Sequence, residues 1–121
     1  MLHALVENGG LATTKSKILS ALVLASWKNG LANVLCCRDG KFINTLRGHV
    51  ATVYQCSFSA DSRLLVTASK DTTLKVWSMA SHKLAMDLPG HADEVYAVDW
   101  APDGKRVASG GKDKAVRLWQ N

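Results

Sequence analysis

The sequence predicts an all-β chain assembled from repeated four-stranded antiparallel sheets. Three observations predict it. Residues 48–77 recur without a gap as residues 90–119, so that His49 and His91, Asp71 and Asp113, and Trp77 and Trp119 are each 42 residues apart. The segments between these landmarks are rich in strand formers and end in turn residues. A period of roughly 40–45 residues, with Gly-His near its start and Trp near its end, marks the blades of a propeller. The expectation is a partial β-propeller of about two blades, residues 41–121, behind an irregular or partly helical N-terminal head, residues 1–40.

The head is the least regular part. Gly9-Gly10 and Thr13-Thr14 look like loop, and residues 16–26 fit a helix or a buried strand equally, since periodicity does not separate the two. Moving the 42-residue frame back once pairs Lys28 with Lys70, Val34 with Val76 and Lys41 with Lys83. It also sets Glu7 against His49, Asn29 against Asp71 and Leu35 against Trp77. The head therefore reads as an eroded or scrambled copy of the same unit; an altered exon or reading frame would look the same.

From Lys41 the register is clear. Residues 41–46 alternate like an edge strand and lead into Arg47-Gly48-His49. Residues 53–59 follow as a strand whose apolar positions, Val53, Cys56 and Phe58, are matched by Val95, Val98 and Trp100. Spacing of three then two breaks strict alternation, so a β-bulge is expected at Tyr54-Gln55 and at Tyr96-Ala97. Ala60-Asp61-Ser62 and Pro102-Asp103-Gly104 carry turn chemistry. Residues 64–68 and 73–77 are the next strands, joined by a tight turn at 69–72, and residues 83–88 are the fourth. One blade is thus expected over 47–88, and a second over 89–121 without an outermost strand. Two blades cannot close a ring, so the faces of Leu65, Val66, Leu74 and Val76, and of Val107, Ala108, Val116 and Leu118, would stay partly wet.

Composition bounds the function. The chain has 121 residues, one domain's worth, and 47% of them are apolar, which is ordinary for a globular protein. Fifteen Lys and Arg against ten Asp and Glu give +5. The excess is spread out, and reads as a solvated basic surface in preference to a dedicated nucleic-acid patch. Cys36, Cys37 and Cys56 are odd in number and lack C-x-x-C spacing, which suggests a reducing intracellular setting with neither a disulfide framework nor a zinc site. Residues 18–27 form the longest apolar stretch, too short to span a bilayer, so no membrane partner is expected. They follow Lys15 and Lys17 as in a targeting peptide, but no small-residue cleavage site stands out.

One constellation looks like chemistry. His49, Thr67, Asp71 and Trp77 recur as His91, Ser109, Asp113 and Trp119. Imidazole, hydroxyl and carboxylate invite comparison with a catalytic triad. Against that, the set occurs twice, each time with an indole that can only donate. A relay from indole to hydroxyl to imidazole to carboxylate would instead tie the entry loop, second strand and third strand of one blade together. Such buried groups need partners, and the sets are read as structural tetrads. No Gly-rich phosphate loop or metal-ligand cluster is visible. No enzyme activity, catalytic residue, cofactor or metal is therefore expected.

Gly48-His49, Asp61, Asp71 and Trp77, with their copies, resemble WD repeats (WD40) over residues 41–121. The Trp-Asp dipeptide itself is absent: Ser78 and Gln120 follow the tryptophans. A narrower resemblance rests on Leu-Arg-Gly-His at 46–49, Ser-Ala-Asp-Ser-Arg-Leu-Leu-Val at 59–66, Thr-Leu-Lys-Val-Trp at 73–77, the run at 87–100, and Val-Ala-Ser-Gly-Gly-Lys-Asp-Lys at 107–114. These are similar to the last two blades of the Notchless family of eukaryotic WD-repeat proteins. That resemblance implies a nuclear or nucleolar role in assembly of the large (60S) ribosomal subunit, pre-ribosomal particle components as partners, and modulation of Notch signalling. Notchless proteins bind a midasin-type AAA ATPase through a separate N-terminal domain, which nothing here matches.

Partners are expected at a rim. Lys70 and Lys112 precede the turn aspartates on the same face of successive blades, and the bulges bring Tyr54 and Tyr96 near them. Basic and aromatic groups together suit an acidic protein or an rRNA phosphate; solvated lysines and tyrosines packed between strands are the bland alternative. Asp93-Glu94 would offset the basic charge locally, and His3 and His82 look like ordinary surface residues. The expected function is a non-enzymatic protein-interaction scaffold. The alternatives are a generic WD-repeat adaptor, a truncated or rearranged product with little function of its own, and an oligomer that completes the ring through its open edges.

Overall fold

In a computed structural model the chain is all β. The structure describes residues 11–15, 21–26, 32–36 and 42–120, with side chains from 44 to 120. The first sheet holds β1 (Leu11–Lys15), β2 (Ala21–Ser26), β3 (Ala32–Cys36) and β4 (Phe42–Leu46) in that order. The second holds β5 (Val53–Phe58), β6 (Leu64–Ser69), β7 (Thr73–Ser78) and β8 (Lys83–Pro89), also in chain order. The third holds β9 (Val95–Trp100), β10 (Arg106–Gly111) and β11 (Val116–Gln120). Every pairing is antiparallel. The first strands of the sheets neighbour one another, with β1 beside β5 and β5 beside β9.

The head is more regular than the irregular or partly helical segment its sequence suggested. Its described segments are strands, and no helix occurs among the described residues. Thr13 and Thr14 lie within β1, not in a loop, and pair with Leu24 and Val23. Residues 21–26, open between helix and buried strand, form β2 between β1 and β3. A short apolar run with neighbours on both edges suits a central strand, and threonine is a strand former. Each strand of the first sheet begins within one residue of a 42-residue shift from its counterpart: 11 against 53, 21 against 64, 32 against 73 and 42 against 83. Phe42–Leu46 is the edge strand expected there. His3, Glu7, Gly9-Gly10, Lys28, Asn29, Cys37, Lys41 and Asn121 lie outside the described residues.

Both bulges form where the spacing placed them. Val53 pairs with Ser69 and Gln55 with Ala68, leaving Tyr54 extra; Ala97 pairs with Gly110 and Val95 with Gly111, leaving Tyr96 extra. The turns after β5 and β9 put Ser62 and Gly104 at φ 60° and 71°. Asp61 accepts hydrogen bonds from the Ser59 hydroxyl (2.7 Å) and the Arg63 N–H (3.0 Å), and Asp103 accepts one from the Lys105 N–H (2.9 Å). The two aspartates therefore hold these turns shut.

The core lies between sheets. Leu46, Val53, Cys56, Leu65, Trp77 and Met79 pack together between the first and second sheets. Val66, Ala68, Leu74, Val76, Val95, Val98 and Val107 pack between the second and third, with Leu64, Leu88, Trp100 and Trp119 partly buried against them. β6 is covered on both faces, which is why residues 64–68 carry only one polar side chain. Polar links also join the second and third sheets: the Val98 N–H donates to Gln55 Oε1 (2.7 Å), the Trp100 indole to the Ser57 carbonyl (3.0 Å) and the Ser57 hydroxyl to Asp99 Oδ1 (3.5 Å). Leu65, Val66, Leu74, Val76 and Val107 are dry, whereas Val116 and Leu118 on the far face of the third sheet are 85% and 65% exposed.

Candidate functional site

The polar sets are assembled from three elements each. The tight turn between β6 and β7 carries Asp71 back toward the loop before β5, where His49 waits. His49 Nδ1 lies 2.8 Å from Asp71 Oδ2, and Nε2 lies 2.6 Å from Thr67 Oγ1. The Trp77 indole N–H donates to the same hydroxyl (3.0 Å). The second copy repeats this: His91 Nδ1 to Asp113 at 2.9 Å, Nε2 to Ser109 Oγ at 2.7 Å, and the Trp119 indole to Ser109 at 2.8 Å. All eight residues expected in the tetrads therefore meet.

The carboxylates do a second job. Asp71 also accepts from the N–H groups of Val50 and Thr73 and from the Thr73 hydroxyl, and Asp113 from the N–H groups of Ala92 and Ala115. Burial alone would raise the Asp71 carboxyl, but the hydrogen bonds from His49 and Thr73 hold it well below the usual carboxylate range. The bond from His91, outweighing burial, together with the Ala115 and Ala92 N–H groups, lowers Asp113 to about 2. The preceding glycine completes the packing. A Cβ on Gly48 would sit 2.9 Å from the Trp77 ring, and one on Gly90 2.9 Å from the Trp119 ring. The His49 and His91 side chains are 1% and 0% exposed, and both ring nitrogens of each lie within hydrogen-bond distance of their own set. The arrangement is a clasp.

The rim residues gather around an acid. The Tyr54 hydroxyl donates to Glu94 Oε1 (2.7 Å), Tyr96 reaches Glu94 Oε2 at 3.5 Å, and Lys112 Nζ lies 3.8 Å from the same oxygen. The two tyrosine rings meet edge to face with centroids 5.3 Å apart. The Glu94 carboxylate, then burial, push the Tyr54 phenol up to about 12. Lys70 is exposed in the neighbouring turn. The bulges that free Tyr54 and Tyr96 from the ladder are what allow this convergence.

Two features escaped the sequence. Lys75 on β7 is 7% exposed, and its Nζ meets Asp87 Oδ1 on β8 at 2.9 Å. The two are direct cross-strand partners, and the signal was a lysine set between the apolar Leu74 and Val76. His82, expected as ordinary surface, is half-buried with φ 56° in the turn before β8. Cys56 is a free thiol whose burial raises it to about 12.

The sequence profile of the WD domain, G-beta repeat, matches residues 40–78 and 82–120. The chain belongs to the WD40 repeat family. The two matched WD40 stretches end just past Trp77 and Trp119, so each contains one polar set from imidazole to indole. Among similar proteins, TFIID subunit 5, a transcription initiation factor of Drosophila melanogaster, is 38% identical over 42 residues, 35% of this chain and 6% of that protein. Apoptotic protease-activating factor 1 of Danio rerio is 38% identical over 58 residues, 48% of this chain and 5% of that protein. Subunit I of eukaryotic translation initiation factor 3 from Debaryomyces hansenii is 31% identical over 58 residues, 48% of this chain and 17% of that protein. The chain thus spans a small part of the length of each of these WD40 relatives.

Proposed function

We propose that the chain is a non-enzymatic protein-interaction scaffold whose docking surface is the rim formed by Tyr54, Tyr96, Lys112 and Lys70. The convergence of two tyrosines and a lysine on Glu94 carries this reading, and Lys70, at the position equivalent to Lys112 one repeat earlier, is exposed. Paired aromatic rings offer rigid contact area, and lysines at the edge favour an acidic partner. WD-repeat proteins with transcription-initiation and translation-initiation names among the relatives favour an intracellular scaffold. The finer reading is a pre-ribosomal partner, as the resemblance to the Notchless blades implies, with a nuclear or nucleolar location and links to Notch signalling. An rRNA phosphate at the same lysines is the form that contact would take if the partner were not a protein.

Affinity purification tests it. The chain is tagged, expressed in eukaryotic cells, and compared with its K70E/K112E variant. Pre-ribosomal proteins recovered with the first and depleted with the second support the reading; equal recovery discards the rim. A second reading, a chain with little function of its own, is favoured by the wet face at Val116 and Leu118. Size-exclusion chromatography with circular dichroism separates the two: a soluble, cooperatively melting species removes the second, and aggregation or molten behaviour supports it.

A further inference from the structure

The loop before β5 and the turn between β6 and β7 are laced together. The Lys70 N–H donates to the Thr52 carbonyl (2.8 Å), and the Ser69 hydroxyl reaches the carbonyls of Thr52 (2.7 Å) and Ala51 (3.2 Å). The Val50 N–H donates to Asp71 Oδ2 (3.2 Å), and Gly48, packed against the Trp77 ring, fixes the start of the loop. Val50 is therefore held out on a rigid support, 89% exposed, and the exposed Lys70 belongs to the same support. In the third sheet Ala92 stands where Val50 stands and Gly111 where Ser69 stands, so that copy has neither the apolar knob nor the hydroxyl lacing.

The same comparison separates the two rim lysines. The Lys112 N–H bonds to the Glu94 carbonyl as the Lys70 N–H bonds to that of Thr52, so Thr52 holds beside Lys70 the place that Glu94 holds beside Lys112. Lys112 Nζ has that acid 3.8 Å away, whereas no acid among the described residues lies within ion-pair distance of Lys70. Charge on the rim is layered. Its segments, residues 47–52, 69–72, 89–94 and 111–114, carry four cations, Arg47, Lys70, Lys112 and Lys114, and four acids, Asp71, Asp93, Glu94 and Asp113. The cations are exposed, while Asp71 and Asp113 are nearly buried in the clasps and Glu94 is held by the two tyrosines. A nucleic-acid backbone is drawn by net positive charge spread over a wide face, and here cations and acids cancel. A short acidic segment meets only the outer, cationic layer at contact range.

We infer that Val50 and Lys70 are the contact point of the rim and bind a short acidic segment of another protein. A carboxylate of the segment meets the Lys70 ammonium, and an apolar side chain beside it covers Val50. The laced loop and turn lose little freedom on binding, which favours a small contact. Lys112 is already engaged with Glu94, so it adds less than Lys70. The inference rests on the rim reading and names within it the residues touched and the partner's chemistry; RNA at the same lysines becomes an outcome of the test.

The probes are a fluorescein-labelled, end-capped Glu-Asp-Leu-Glu-Asp peptide, the same peptide with Ser in place of Leu, and a labelled oligouridine RNA. Each is titrated with the full chain at physiological salt and read by anisotropy. Saturable binding of the Leu peptide is expected, with the Ser peptide about five-fold weaker and the RNA at least about ten-fold weaker. K70E should weaken the Leu peptide about ten-fold. V50S should weaken it about five-fold and leave the Ser peptide unchanged. Far-UV circular dichroism checks both variants; if either unfolds, the three probes on the unaltered chain decide. Tighter binding of RNA, no saturable binding of the Leu peptide, equal binding of the two peptides, or unchanged binding to folded K70E and V50S overturns the proposal. The cell purification keeps the two failures apart. If K70E/K112E loses its partners while the peptide results fail, the rim stands and its contact point lies elsewhere on it; if recovery is equal as well, the rim itself fails.

Discussion

His49 Nε2 and Thr67 Oγ1 are 2.6 Å apart, and the two residues are 6% and 0% exposed. The hydroxyl is the hub, because the Trp77 indole also donates to it. Thr67→Val keeps the shape and removes the hub, so one ring nitrogen of His49 and the indole N–H lose their partner in a dry place. Leaving a buried polar group unpaired costs ~1–3 kcal/mol, so the variant should lose roughly 2–4 kcal/mol of stability. Urea unfolding followed by tryptophan fluorescence measures it. A loss under about 0.5 kcal/mol would mean that the clasp contributes little beyond packing.

Acid should release the same clasps. Asp113 is lowered from 3.8 to about 2, and Asp71 is lowered as well. A carboxyl with a depressed folded-state pKa stabilises the fold above its unfolded value, and that contribution is lost as pH falls through the folded value. Stability should therefore hold above about pH 4 and decline toward pH 2 and below. D113N should be less stable at pH 7 and should show a shallower decline over that window. Melting temperatures from pH 7 to pH 2 on both chains check this; parallel curves would assign the acid sensitivity elsewhere.

The Lys75–Asp87 pair gives an asymmetric expectation. Lys75 is 9% exposed at its side chain and Asp87 50% exposed. Water screens the pair from the Asp87 side, so the pair itself contributes little. Lys75→Met keeps the buried stem and deletes a charge, and should change stability by less than about 0.5 kcal/mol. Asp87→Ala leaves a nearly buried ammonium alone and should cost about 1–2 kcal/mol. Equal losses in chemical denaturation would show that solvent reaches Lys75 more freely than its exposure implies.

The second and third sheets were legible because several signals coincide there. Gly48, His49, Asp71 and Trp77 sit at fixed offsets that only a clasp requires, and the irregular spacing of Val53, Cys56 and Phe58 disclosed a bulge. The polar sets followed from the same logic, since an indole donor and a carboxylate acceptor leave the hydroxyl and the imidazole one arrangement. The first sheet was hidden for the converse reason. Ala25 and Leu35 stand where Thr67 and Trp77 stand, so the landmarks are gone while strand-compatible residues remain. Lys75 was missed because a lysine in a strand normally faces water, and the acid that holds it is on a strand twelve residues further along. The repeat spacing placed Tyr54, Tyr96 and Lys112 near one rim with Asp93-Glu94 beside them, but not the choice of Glu94 as the acid on which the three side chains meet.

The contrast between sheets predicts their relative stability. Backbone pairing in the first sheet follows the pattern of the second. Its sequence lacks the clasp, since alanine at 25 has no hydroxyl and leucine at 35 no N–H to donate. In the 42-residue frame it therefore offers no counterpart of the Thr67 hydroxyl or the Trp77 indole. Amide exchange rates should therefore divide the chain, because local opening follows the interactions that must break. Amides in β2 and β3 should exchange at least about ten-fold faster than those in β6 and β7, a difference of ~1.4 kcal/mol in opening free energy. Replacing Thr67 with Val should bring β6 and β7 toward the rates of β2 and β3 and leave β10 slower. Uniform protection across the three sheets, before and after that change, would mean that packing alone sets local stability and that the clasps are incidental to it.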